Sequence, residues 1–215
     1  MWSKMLHLVL GGVLLAGCFG DVAEDPAAPV GGTRSRLERT LGVALEPGSC
    51  RAVATLQREY QGEMAHQLDL PVTGGSVTLR AWPDGRVEVE DLRVDLDDVV
   101  LDEYEFPPSG VHVTGLQLSL RDAGAADATW ADDGNALDAQ GQVDLLLYWS
   151  SVADDGSVVP LGAQPVTAVA VEVKVTTTDD GRALVKVHGR RHGQFVEADG
   201  VFAISELALD LSAVG

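Results

Sequence analysis

The chain has 215 residues, with 33 Asp and Glu against 15 Lys and Arg, a formal charge of −18 and only two cysteines. A field of that sign repels phosphates and anionic headgroups, which argues against nucleic acid and against headgroup-driven membrane binding. Two cysteines cannot build a disulfide scaffold, while 46% apolar residues suffice for one sizeable core.

The segment Met1–Gly17 carries one cation, Lys4, ahead of the apolar run Leu6–Ala16, which is the charge and hydrophobicity order of a secretory signal. The run is too short to span a bilayer, which takes roughly 20 residues. An uncleaved anchor and an ordinary buried helix are the competing readings. Residues Leu15-Ala16-Gly17-Cys18 resemble the lipobox of the bacterial lipoprotein signal class, in which small residues and a cysteine fall together at the end of the run. The resemblance covers the first 18 residues. It implies removal of the signal peptide, acylation of Cys18 by a thioether-linked diacylglyceryl group and an N-acyl chain, and a lipid bilayer as partner. At roughly 0.8 kcal/mol per buried methylene, two or more chains anchor a protein stably. Phe19 rather than Asp follows the cysteine. In the enterobacterial version of this class that implies the outer membrane of the cell envelope, on its periplasmic or surface face. Losing Lys4 leaves the mature chain at −19. With Cys18 acylated, Cys50 has no intrachain partner; burial is expected, a free thiol or an intermolecular bridge being the alternatives.

From Phe19 to about Thr33 the sequence is small, acidic and Pro/Gly-bearing without hydrophobic period, so it cannot offset its ordering entropy and reads as a disordered tether. Through Arg34–Ser49, Leu37, Leu41 and Leu45 recur every four residues among Arg34, Arg36 and Arg39. That spacing suits a short amphipathic helix, with Gly42 against it. The expected organisation is a signal peptide at 1–17, a lipid-anchored tether at 18–48 and a β domain at 49–215.

Past Cys50 the period becomes two. Tyr60, Gly62, Met64, His66, Leu68 and Leu70 share one face, as in a half-buried strand; a helix through Val53, Leu56, Tyr60 and Met64 is the weaker match. Val77, Leu79 and Ala81 repeat the alternation, Pro83-Asp84-Gly85 turns the chain, and Val87 and Val89 begin the return. The same punctuation stands at Asp133-Gly134, Asp155-Gly156 and Asp180-Gly181. Leu137, Ala139, Gly141, Val143, Leu145, Leu147 and Trp149 share one face; so do Val169, Val171, Val173 and Val175, and then Ala183, Val185 and Val187. Alternation slips at Glu90-Asp91, and near Gly115, where the inward set passes from Val111 and Val113 to Leu116, Leu118 and Leu120, as at β-bulges. The expected fold is all-β: a single antiparallel meander of about eight to ten long strands, curved into a sandwich or barrel.

Chemistry is sparse. His188 and His192 are spaced H-x3-H, but Gly189-Arg190-Arg191 between them points to a strand end and places cations where a metal would bind. His66 reads as a core histidine. The acids Asp95, Asp97, Asp98, Asp102 and Glu103 invite calcium, yet they lack the glycine and ligand order of an EF-hand and read as a solvated strand face. No G-x-S-x-G, H-E-x-x-H, P-loop or C-x-x-C occurs, so no catalytic residue, metal ligand or cofactor is expected.

Gly141-Gln142-Val143-Asp144-Leu145 and Gly162-Ala163-Gln164-Pro165-Val166 resemble the G-x-L-x-L and G-x-x-x-P-V strands of the bacterial polyisoprenoid-binding, lipocalin-like family, with a longer hairpin, Tyr148–Leu161, between them. That resemblance implies an antiparallel barrel around an isoprenoid chain. Two functions follow as expectations. One is a non-catalytic structural or interaction module of the envelope with a protein partner; the other is a carrier of a hydrophobic ligand, its lumen lined by Met64, Leu145, Leu147, Trp149 and Val171.

Overall fold

The computed structural model describes residues 39–59, 61–82, 86–108, 110–130, 136–153, 155–198 and 202–215. The signal peptide, Cys18, the tether up to residue 38, and the turns at Pro83-Asp84-Gly85 and Asp133-Gly134 lie outside them. The alternating segments form twelve strands: β1 (Arg39–Ala44), β2 (Arg51–Glu59), β3 (Glu63–Leu70), β4 (Val72–Ala81), β5 (Arg86–Leu96), β6 (Val99–Leu101), β7 (Val111–Asp122), β8 (Gly124–Trp130), β9 (Leu137–Val152), β10 (Val158–Thr177), β11 (Ala183–Ala198) and β12 (Phe202–Val214). All pairings are antiparallel, in one sheet.

The registers reduce twelve strands to eight arms. β1 and β2 face β4 and β3 along one bent hairpin, with Leu41 opposite Leu79 and Ala52 opposite Leu70. β5 and β6 both face β7, through Val94–Leu118 and Val99–Val113, and β7 and β8 both face β9. The remaining arms are β9, β10, β11 and β12, each paired with the next. The last arm returns to the first, Leu209 standing opposite Ala52, and Leu45 bridges Ala213. The pairings therefore run round a closed ring, an up-and-down β-barrel, which removes the edges a long open meander would leave. The sandwich alternative gives way to the barrel.

Period two decides which side is wet. Leu137, Ala139, Val143, Leu145, Leu147 and Trp149 of β9 are buried, as are Val166, Val169, Val171 and Val173 of β10 and Leu207, Leu209, Leu211 and Ala213 of β12. The alternate residues Asp138, Gln140, Gln142, Glu172, Lys186, Glu206 and Asp210 face outward. A spanning outer-membrane barrel is apolar outside and polar inside; this one is the reverse. The two expected slips are register shifts, at Thr78/Leu79 opposite the skipped Glu90 and at Thr114/Gln117 around Gly115.

Two expectations change. Residues 39–48, assigned to the tether and offered as a helix, hold β1 and a 3-10 turn, Pro47–Ser49, so the β domain begins about ten residues before 49. Leu41, Val43 and Leu45 alternate inward against β4, and the four-residue leucine spacing is incidental to that period of two. The strand expected to run from Tyr60 begins instead at Glu63, because Gln61 and Gly62 take positive φ angles of 52° and 127° and turn the β2–β3 hairpin.

Candidate functional site

The meander sorts its turns to two ends. Gln61-Gly62, the connection 102–110 and Asp155-Gly156 lie at one, called upper below; Asp180-Gly181, Arg39 and Gly215 lie at the other. At the upper end the inward positions of the first hairpin include polar residues, Arg58 on β2 and His66 on β3, with Met64 between them. The connection 102–110, with a cis Pro107-Pro108 peptide, brings Phe106 to 0% exposure against them. The Arg58 guanidinium lies 4.2 Å from the Phe106 ring centroid and donates to the carbonyls of Phe106 (3.0 Å) and Pro107 (2.7 Å), with a longer contact to that of Gly110 (3.5 Å). His66 meets the same ring edge-on, 6.5 Å between centroids.

Arg58 is thus a clasp. Its stem and ring contacts are apolar, its donors satisfy carbonyls that the loop would otherwise bury, and burial pushes its pKa down from the ordinary arginine value. Phe106 is the stopper that it holds. Below lies an apolar hollow of about 20 Å³, lined by Ala54, Leu70, Leu118, Leu147, Val166 and Ile204 among others. That is room for about one water molecule. Of the expected lumen residues, Leu145, Leu147, Trp149 and Val171 are buried core, only Leu147 borders the hollow, and Met64 is half-buried on β3 near the clasp. The two segments that carry the isoprenoid-family resemblance lie side by side on β9 and β10, Leu145 opposite Val166.

The outside of the upper end has a different character. Val100 (64% exposed) opposes His112; one residue on from the Val113–Ser151 pair, Val152 stands in the same row, opposite Val158 (57% exposed). Opposed residues share a face, so three valines and His112 form one outward row across four arms. Tyr104 on the adjoining loop is 87% exposed, and Tyr148 and Val159 are exposed on the same two arms as Val152 and Val158. Acids rim the row: Asp97, Asp98, Asp102, Glu103, Glu105 and Asp155 are all exposed. The segments that build it, 97–115 and 146–165, contain no Lys or Arg.

Beside it runs a strand edge. β11 joins β10 only between Ala170 and Thr177, and among the described residues Val158–Val169 pair with β9 alone. Pro160 and Pro165 remove N–H donors from this stretch, and register shifts around Leu161 and near Ala168 (φ 55°) bend it. Prolines and bulges are the devices that prevent edge-to-edge strand addition.

The remaining candidates have structural partners. Asp98 accepts from the Thr114 hydroxyl (2.7 Å) and the Gly115 N–H, and Asp102 caps the N–H groups of Tyr104 and Glu105. Burial raises the Asp95 carboxyl, but hydrogen bonds from Gln117 and Arg93, with the Arg93 charge, outweigh it and hold the pKa below the usual value. His188 faces Asp210 at 2.6 Å and His192 faces Glu206 at 3.6 Å, each across to β12. Among the described residues no three His, Cys, Asp or Glu side chains converge as metal ligands would. Cys50 is half-buried, donating to the Ser212 carbonyl and accepting from its N–H; burial pushes the thiol pKa up.

Fold and site together define an eight-armed β-barrel with a stoppered mouth and an apolar, acid-rimmed outer wall. Compared with protein-family models, with curated proteins and with solved structures, the chain matches none.

Proposed function

We propose that the chain is a lipoprotein of the bacterial cell envelope, anchored through acylated Cys18 and delivered to the outer membrane, whose barrel is a non-catalytic structural or protein-interaction module. The observation that carries the module reading is the packing of the interior among the described residues: Leu145, Leu147, Trp149, Val166, Val171 and Leu209 are buried core, and the hollow that Leu147 borders holds about 20 Å³, which favours the outer surface as the place where partners meet the domain. The lipobox motif and the apolar run before it support the anchor. Radiolabelled palmitate should enter the wild-type chain and not Cys18→Ser. Equal labelling of both would remove the anchor from the proposal.

A second reading, a carrier of a lipid or isoprenoid chain, draws support from the closed ring of eight arms, an architecture that lipocalins use for apolar ligands. Titrating the full chain with long-chain isoprenoids and fatty acids, followed by intrinsic tryptophan fluorescence, separates the two. The module reading expects no saturable change. A saturable micromolar response would replace it with the carrier.

A further inference from the structure

We infer that the row Val100–His112–Val152–Val158, with Tyr104 beside it, is the docking surface of the proposed module, and that its partner is a protein presenting aliphatic or aromatic side chains flanked by Lys and Arg. This rests on the interaction reading above and names its surface. Three observations bear on it. First, of the large hydrophobic residues exposed among the described residues, Val100, Tyr148 and Val158 point outward on this wall and Tyr104 stands on its adjoining loop, while Val159, opposite Ser151 and so in line with the buried Val113, points to the other face. Scattered exposed hydrophobes need no explanation, but a cluster across neighbouring strands marks an interaction site.

Second, charge selects the partner. The segments that build the row, 97–115 and 146–165, hold seven Asp and Glu and no Lys or Arg. Such a wall steers cationic surfaces toward itself and turns acidic ones away. The same sign disfavours an anionic bilayer, so a protein partner fits better than a membrane. Third, the adjacent β10 edge is guarded by Pro160, Pro165 and its register shifts. Docking therefore proceeds through side chains on the outer face and not by adding a strand.

The probe is a labelled nine-residue peptide alternating Leu and Lys, with its Leu–Glu counterpart, titrated into the full chain by fluorescence anisotropy. The doubly substituted variant Val100→Ser, Val158→Ser changes no charge and touches exposed positions, so its urea midpoint should stay at the wild-type value; Tyr104→Ser alone is a second, independent probe of the patch. We expect saturable binding of the Leu–Lys peptide, about tenfold weaker in the double variant and weaker in Tyr104→Ser. It should be unchanged in Val53→Ser, which lies outward on β2, and several-fold weaker when salt is raised from 0.05 to 0.5 M, on the order expected for screened surface charges. Equal affinity of the double variant, or equal binding of the Leu–Glu peptide, would overturn the proposal. So would flotation of the chain with zwitterionic vesicles that Val100→Ser, Val158→Ser abolishes, which would assign the patch to a membrane. Failure of the underlying module reading has a separate signature, the saturable isoprenoid response.

Discussion

Removing the stopper or its clasp should loosen the barrel mouth by amounts that the geometry sets. Phe106 is fully buried, so Phe106→Ala should cost about 3–5 kcal/mol through lost transfer energy and the cavity left behind. Arg58 makes two well-formed charged hydrogen bonds, at 3.0 and 2.7 Å, and a third contact too long to count. Arg58→Met keeps the apolar stem but leaves those carbonyls unpaired, so a loss of about 2–4 kcal/mol is expected. The two side chains touch ring to guanidinium at 4.2 Å, and the double variant should fall short of additivity by about 1–2 kcal/mol. Urea melts of the full chain and the three variants give all four corners of the cycle. The Phe106→Ala chain should also bind an apolar reporter dye while still folded, because the lost ring leaves an apolar space at the barrel mouth. Strictly additive losses each below about 1 kcal/mol would refute the idea of a packed stopper held by a buried arginine.

Three further outcomes can be checked on the same protein. Gly75 has φ 136°, and a Cβ there would stand 2.1 Å from the Arg93 carbonyl oxygen; Gly75→Ala should therefore cost more than about 2 kcal/mol in a urea melt, and a neutral result would contradict the close β4–β5 approach. A chain started at Ser49 loses β1 and with it buried Val43 and Leu45; at about 1.5–3 kcal/mol per buried side chain it should be less stable by about 3–6 kcal/mol than a chain started before Arg39. The Cys50 thiol, with its pKa raised, should react slowly with a disulfide reagent at neutral pH and quickly in denaturant. The linked stability should be complete below the unfolded-state thiol pKa and decline as pH rises through the folded value, and equal labelling rates in both states would remove that protection.

The strands were legible because burial on one face writes itself as a period of two, and the slips at Glu90 and Gly115 were legible because a bulge breaks that period in place. What escaped was information held between distant residues. β1 hid under leucines four apart, since only its pairing with β4 shows which period is real. Arg58 sits at an inward position of an apolar alternation, and nothing local says that a loop almost fifty residues later will supply its acceptors. Phe106, enclosed by acids and prolines, looks like exposed loop until the clasp is seen. The apolar rim is likewise invisible along the chain: Val100 and Val158 become neighbours only through the pairings of β6, β7, β9 and β10.

The seam between β12 and β2 joins residues as far apart as Ala52 and Leu209. Ring closure therefore waits for the final strand, and every earlier length of the growing chain carries two raw edges, one on β2 and one on whichever arm was made last. For a protein that leaves its compartment of synthesis threaded from the N-terminus, as proposed for this one, such a topology is self-timing. The barrel has no finished form to jam a narrow export channel until β12 has been made and released, and a chain stalled or cut before it remains recognisably incomplete to holding chaperones and proteases.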